Sequence, residues 1–182
     1  MNRYESNLVW IDLEMTGLDI NKDVILEIAA VITNNQLDII DISKSITINY
    51  SKDYILNIID EWSLQQHTES GLLNDVFLSK YSLKDSENII LDFIKKYTNY
   101  KEAPLCGNSV WQDKIFIHKY MPAIDQHLHY RIIDVSSLKE IIKRSYFNNI
   151  NVDFEKDSKH RASSDILESI KELAYYKRHF FI

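Results

Sequence analysis

Cysteine is almost missing from this chain: Cys106 is the only one in 182 residues. No intramolecular disulfide can form, a thiolate zinc site is excluded, and Cys106 itself is expected in the core. Glycine and proline are nearly as scarce, at three and two. No Ser-, Gly- or Pro-rich linker interrupts the sequence, and it contains no repeat or low-complexity tract. A single domain spanning residues 1–182 is therefore expected, with enough apolar content for a proper core. No run approaches a membrane span, so no membrane partner is expected. The opening MNRYESNLVWIDLEM lacks an apolar stretch followed by a small-residue cleavage site, which makes cytoplasm the expected location. An excess of basic charge is also missing. A net charge of −6 argues against gripping a long duplex through a broad basic surface. A short nucleic acid remains compatible with local basic spots at Lys143-Arg144, Lys159-His160-Arg161 and Lys177-Arg178-His179. The first and last of these read most simply as solvated helix faces.

Hydrophobic patterning organises the rest. Three β-rich runs open the chain, Leu8 to Glu14, Ile25 to Thr33 and Ile39 to Asn49, with Asn34-Asn35-Gln36 suited to a hairpin between the second and third. A largely helical stretch follows from about Asp53 to Tyr97. Within it Leu83, Ile90, Phe93, Ile94 and Tyr97 share a face after a polar start at Ser82. Pro104 to Asn108 suggests a short buried strand, and the helix through Phe116 to Tyr120 is stopped by Pro122. Arg131 to Val135 suggests another strand, with Ser136 or Ser137 capping the next helix. A last helix is expected from about Ser163 to Arg178, with Ile166, Ile170, Leu173 and Ala174 turned inward. Three strands followed by alternating helix and strand imply an α/β fold with a mixed sheet flanked by helices.

Against this frame the acidic residues stand out. Leu8-Val9-Trp10-Ile11 reads as a buried strand, and residues two apart on a strand point the same way, so Asp12 and Glu14 converge. An acid in an apolar run is costly unless it is paired, hydrogen-bonded or on a metal, and two adjacent carboxylates repel unless a cation lies between them. Alone, such a tripeptide is more often a solvated strand end. Asp113 in GNSVWQD, and His160 with Asp165 in KHRASSD, extend the set to the composition of a two-metal nuclease centre. Hard divalent cations take carboxylate oxygens, and a histidine of near-neutral pKa can activate water. On one continuous helix His160 and Asp165 would be rotated roughly 140° apart. With Ser163 or Ser164 as cap, His160 falls on the preceding loop and Asp165 in the first turn. Asp134, at the end of a short strand before two serines, reads as structural, satisfying backbone donors.

In order along the chain, this set resembles the DEDDh exonucleases of the RNase H-like fold. The segments WIDLEMTGLD, EWSLQQHTESGLL, CGNSVWQD, HYRIIDVSSLKE and HRASSDILESIKELAYYKRHF look like the oligoribonuclease family over essentially the whole chain. The resemblance implies a homodimeric 3′-to-5′ exoribonuclease that hydrolyses very short oligonucleotides to mononucleotides. Carried over, the family's metal ligands fall on Asp12, Glu14, Asp113 and Asp165, with His160 as general base and two Mg²⁺ or Mn²⁺ ions per site. The resemblance also implies Leu18 as an apolar wedge against the bases, and Trp62 and His67 lining the base and phosphate pocket. Ser109, Tyr130 and Arg131 would surround a 5′ phosphate, the last two supplied by a partner subunit.

Without the resemblance, Leu18 and Trp62 would pass for core and Tyr130-Arg131 for an ordinary strand start. The sequence departs from the family pattern at two places. Trp111 is bulky two positions before Asp113, where it either reshapes the pocket or packs beneath it. Ser163-Ser164 replaces an apolar residue followed by an acid. The competing activities are an exonuclease for longer single strands of RNA or DNA, which would present an open groove, and a nucleic-acid-binding protein with a dead site. The latter need not keep all five chemical groups. Aromatics at Tyr146, Phe147, Tyr175, Tyr176, Phe180 and Phe181 are left between an interface and a completed core.

Overall fold

The computed structural model describes residues 7–145, 154 and 161–180. Strands β1 (Leu8–Met15), β2 (Ile25–Thr33), β3 (Ile39–Ile42) and β4 (Ile46–Thr47) come first, followed by helices α1 (Lys52–Ile58), α2 (Glu61–Glu69), α3 (Leu72–Leu78) and α4 (Leu83–Lys95). Then come β5 (Leu105–Gly107), α5 (Trp111–Tyr120), α6 (Pro122–His127), β6 (Ile132–Asp134), α7 (Val135–Ser145) and α8 (Ala162–Phe180). The sheet runs β3-β2-β1-β5-β6, with β4 also on β2. β1 pairs antiparallel with β2 and parallel with β5, and β5 pairs parallel with β6, so the sheet is mixed as expected.

β1 separates two layers. Val9, Ile11 and Leu13 face a cluster with Ile90 and Ile94 of α4 and Phe116 and Ile117 of α5. Leu8 and Trp10 face Ile166, Ile170, Leu173 and Tyr176 of α8. The alternation that buries Trp10 against α8 therefore also turns Asp12 and Glu14 toward α8. Opposite Asp12 on β2 stands Ala29, whose small side chain leaves space on that face. A third cluster joins Leu26 of β2 to Ile55, Leu72 and Val76. Cys106 is buried as expected, and burial pushes its thiol pKa far up.

Several expected elements differ in detail. The run from Ile39 to Asn49 is two short strands, because the chain breaks at Ser43, whose hydroxyl and amide both bond Ala30. Pro122 does not merely stop α5; it opens α6 at the first helical turn, where its missing N–H costs nothing. α7 begins at Val135, so neither serine caps it. Asp134 Oδ1 instead accepts from Ser136 N at 2.9 Å and Ser109 N at 3.0 Å, the structural role expected of Asp134. α8 begins at Ala162, which places Ser163 and Ser164 inside its first turn rather than at the cap. Ala174 is exposed, since the inner stripe runs Ile166, Ile170, Leu173 and Tyr176, and Ala174 lies about 100° from Leu173. Ser82 does start α4, in a reciprocal capping box with Asp85. Tyr176 is fully buried and Tyr175 and Phe180 pack against its cluster, which assigns these three to the core. Tyr146, Phe147 and Phe181 lie outside the described residues. No helix among the described residues is long and apolar enough to cross a membrane.

Candidate active site

Asp12 and Glu14 on β1 and Asp165 in the first turn of α8 bring carboxylate oxygens within 4.8 Å of one another. The three come from opposite ends of the chain because Trp10 and Ile166 belong to one packed cluster, which docks the start of α8 over the end of β1. Asp113, in the first turn of α5, lies outside that threesome. Its Oδ1 accepts the backbone N–H of Leu13 at 3.0 Å, between the two strand acids, and it is itself buried. His160 lies outside the described residues.

Gathering these acids away from water disfavours their charged forms. Burial pushes Asp12 well above the ordinary aspartate range, with the charges of Asp113, Glu14, Asp165 and Glu27 adding to the rise. Burial likewise pushes Glu14 up to about 8, helped by Asp165, Glu27 and Asp113 and opposed by Arg161. For Asp113 burial raises the pKa to about 7 against the lowering effect of its backbone hydrogen bonds. A multiply charged cation reverses this cost, and oxygen-only donors suit a hard divalent ion. The acidic cluster therefore fits divalent metal binding.

Next to the cluster, and sharing Glu14 with it, lies a cleft of about 180 Å³ lined by Leu13, Met15, Gly17, Leu18, Asp60, Trp62, Ser63 and His67. Leu18 is 61% exposed and Trp62 62%, so neither is a core residue. His67, by contrast, is buried. Its Nε2 is 2.8 Å from the Met15 carbonyl and so carries the donated proton, which turns Nδ1 toward Glu14 Oε2 at 3.8 Å. Asp60 caps α2 by accepting from Ser63 N and Oγ, and its own N–H donates to Thr16 O, which pins the helix bearing Trp62 and His67 to the end of β1. The Leu18 loop is fastened in turn by the buried Asp23, which accepts from Thr16 Oγ1 and Asp19 N. Gly17 is required there: a Cβ would stand 2.5 Å from Asp23 Oδ2.

Ser109 sits just past β5 with φ +48°, held by Asp134 and by Ser136 Oγ at 2.9 Å. Tyr130 and Arg131 are exposed and stacked, the guanidinium 5.4 Å from the ring centroid. They precede β6 at the end of the sheet away from the carboxylates. Ile132 registers with Leu105 and Leu105 with Val9, so Arg131 is level with Leu8 and about 13–20 Å along the strands from Asp12 and Glu14. The structure thus groups Asp12, Glu14, Asp165, Leu18, Trp62 and His67, sets Asp113 and Ser109 alongside, and leaves Tyr130 and Arg131 apart. Trp111 is half exposed at the start of α5 and does not pack beneath the site.

One acid escaped the sequence reading. Glu27 is fully buried on β2 directly opposite Glu14. Its signal was the one that singled out Asp12, an acid in an otherwise apolar strand. Arg161, read as one member of a basic spot, is paired rather than open to solvent: it meets Glu27 at 2.8 Å and Asp75 at 3.0 Å. Lys143-Arg144 and Lys177-Arg178-His179 are exposed ends of α7 and α8, with Arg144 paired to Glu140 one turn earlier.

A mixed sheet with an acid cluster at the carboxyl end of its central strand, covered by helices on both faces, defines a nuclease-type α/β domain. A family model described as Exonuclease matches residues 9–173. The oligoribonuclease of Acinetobacter baylyi is 46% identical over 178 residues, covering 98% of this chain and 96% of that protein. That of Ruthia magnifica is 48% identical over 180 residues, covering 99% and 98%. The chain belongs to the exonuclease family and, within it, to the oligoribonucleases. Solved structures agree on the fold. Pop2p of S. pombe, in a Mg²⁺- and Mn²⁺-bound form, superposes with a TM-score of 0.71 at 12% identity, over 96% of this chain and 84% of that one. Exonuclease I of Methylocaldum szegediense gives 0.72 at 12%, over 96% of this chain; the present chain spans only 41% of that enzyme's length.

Proposed function

We propose that this chain is a 3′-to-5′ exoribonuclease that hydrolyses short oligoribonucleotides, dinucleotides above all, to nucleoside 5′-monophosphates, with residues 1–182 acting as one domain. The observation that carries the proposal is that Glu14 belongs both to the carboxylate cluster and to a cleft of about 180 Å³, space for little more than one base. In this reading a phosphodiester held at the cluster would have its 3′-terminal nucleoside in that cleft.

Asp12, Glu14, Asp113 and Asp165 would hold two Mg²⁺ or Mn²⁺ ions, which supply an activated water and offset charge on the phosphate and the leaving 3′ oxygen. His160 is the proposed base that takes the proton from that water. Leu18 and Trp62 present apolar faces to the bases, and the His67 Nδ1 edge faces the carboxylate side of the cleft. Ser109, just past β5, is proposed to contact the 5′ phosphate.

The proposed 5′-phosphate ligands Tyr130 and Arg131 lie too far along the sheet to serve the carboxylates of their own chain. Their placement supports a homodimer in which each subunit lends them to the other. Trp111 and Ile115, one turn apart on the exposed face of α5, supply apolar surface for such an interface. In this reading the partner's residues close the site to longer strands, and a monomer would lose selectivity for short RNA.

Product identity tests the proposal. A 3′-labelled trinucleotide incubated with Mg²⁺ should release its label first, as a nucleoside 5′-monophosphate. Label appearing first as a dinucleotide, or as a 3′-monophosphate, would contradict the direction and the bond assigned to the site.

A further inference from the structure

Glu27 poses a physical problem for the metal site proposed above, and its solution assigns a role to Arg161. In an antiparallel pair, directly opposed residues share a face with Cβ atoms about 5 Å apart. Glu27 is opposite Glu14, fully buried, and would be a further carboxylate within reach of the cluster. Left to itself it would compete for the ions or repel their ligands. Both of its oxygens are engaged instead. Oε1 accepts from Arg161 Nη2 at 2.8 Å and Nε at 3.3 Å, and Oε2 accepts from Nε at 3.4 Å and from the Ala162 backbone N–H at 3.0 Å. Ala162 is the first residue of α8, so Glu27 also takes up one of the amides a helix start leaves without a partner in the helix. The third guanidinium nitrogen, Nη1, reaches Asp75 of α3 at 3.0 Å.

We infer that Arg161 is a positioning residue: by forking onto Glu27 and reaching Asp75 it ties α8 to β2 and α3, withholds Glu27 from the metal ions, and sets Asp165 against Asp12 and Glu14. The inference rests on the metal-site reading proposed above. Two features separate this role from that of a phosphate-binding cation. The guanidinium already meets two carboxylates, one of them buried, and the same carboxylate that receives the fork also receives the α8 backbone. Arginine is suited to the task because a planar fork satisfies both oxygens of a carboxylate, which lysine cannot do.

The test is calorimetric Mn²⁺ binding to the RNA-free protein, alongside kcat and KM on a dinucleotide and melting temperatures, for Arg161→Gln, Glu27→Gln, the double variant and Arg161→Lys. Arg161→Gln should weaken Mn²⁺ binding and lower kcat about 10- to 100-fold, the usual cost of losing a group that orients metal ligands, with KM for the dinucleotide little changed. The double variant should bind Mn²⁺ more tightly than Arg161→Gln, because a neutral pair leaves no uncompensated buried charge. Arg161→Lys, which keeps the charge and the fold but not the fork, should weaken Mn²⁺ binding about 10-fold.

Three results would overturn the inference: Mn²⁺ binding unchanged in both Arg161 variants, a loss confined to KM for RNA, or a drop in melting temperature alone. A wild-type chain that binds no Mn²⁺ would overturn the metal-site reading together with it.

Discussion

Asp12, Glu14 and Asp113 are held where burial and neighbouring carboxylate charges favour their protonated forms, and this has a definite sign in stability. Glu14 rises from an ordinary 4.5 to about 8 and Asp113 from 3.8 to about 7, so the folded chain binds more protons than the unfolded one between those values. The contribution of these two groups to the stability of the metal-free protein is then fully present below the ordinary carboxylate range and is lost as pH rises to 7 and 8, at up to about 1.4 kcal/mol per unit for each group. Calorimetric melting without metal should show a lower transition at pH 8 than at pH 6. Added Mn²⁺ should raise it more at pH 8, because the ion binds the deprotonated ligands and releases their protons. Asp12→Asn should raise the metal-free transition at pH 8 while lowering activity by several orders of magnitude. A metal-free melting curve indifferent to pH over this range would contradict the clustering.

At the scale of elements, the site depends on how β1, α2, α8 and the Leu18 loop are tied together. Gly17→Ala places a Cβ against the Asp23 carboxylate, which is buried and already fixed by Thr16 and Asp19 and so cannot move aside. The variant should lose about 1–3 kcal/mol and raise KM for a dinucleotide, with Mn²⁺ affinity retained. Asp60→Ala removes the cap of α2 at a cost of about 1 kcal/mol. It should likewise act through KM, because Trp62 and His67 ride on that helix; an unchanged KM in both variants would detach the cleft from substrate.

The same elements show what a sequence can and cannot disclose. β1 was legible with its two acids because period-two alternation states which residues share a face, and Asp165 was correctly put in a first helical turn. The Ser82 start of α4 followed from local capping chemistry. The break between β3 and β4 was not legible, since it comes from bonds between Ser43 and Ala30 across the sheet. Nor was the α8 start: its amide is satisfied by Glu27, 135 residues away, rather than by a neighbouring serine. The Ala174 assignment failed on angle alone. The exposed, cleft-lining placement of Leu18 and Trp62 could be expected only through family resemblance, because an apolar side chain carries no local mark that distinguishes surface from core.

For the molecule as a whole, Arg131 lies about 13–20 Å along the strands from its own carboxylates, so the proposed 5′-phosphate role of that side chain calls for its supply by a partner subunit. Sedimentation should show a dimer. Mixing Asp12→Ala with Arg131→Ala, each nearly inactive on a dinucleotide, should restore activity after subunit exchange. One of the two sites in a mixed dimer would combine intact carboxylates with an intact partner arginine. Absence of complementation in a mixture shown to form mixed dimers would mean that Arg131 does not act across the interface.

The most direct test of the whole account is a single-turnover time course on 5′-labelled RNAs of two, three, five and twenty nucleotides, with Mg²⁺ or with chelator, beside Asp12→Ala. Metal-dependent conversion of the dinucleotide that is fast, lost in the variant, and much slower on the longest RNA is the predicted result. Rapid cleavage of the long RNA with little dinucleotide turnover would contradict it, leaving the nuclease chemistry in place but removing the cleft and partner residues as the determinants of length.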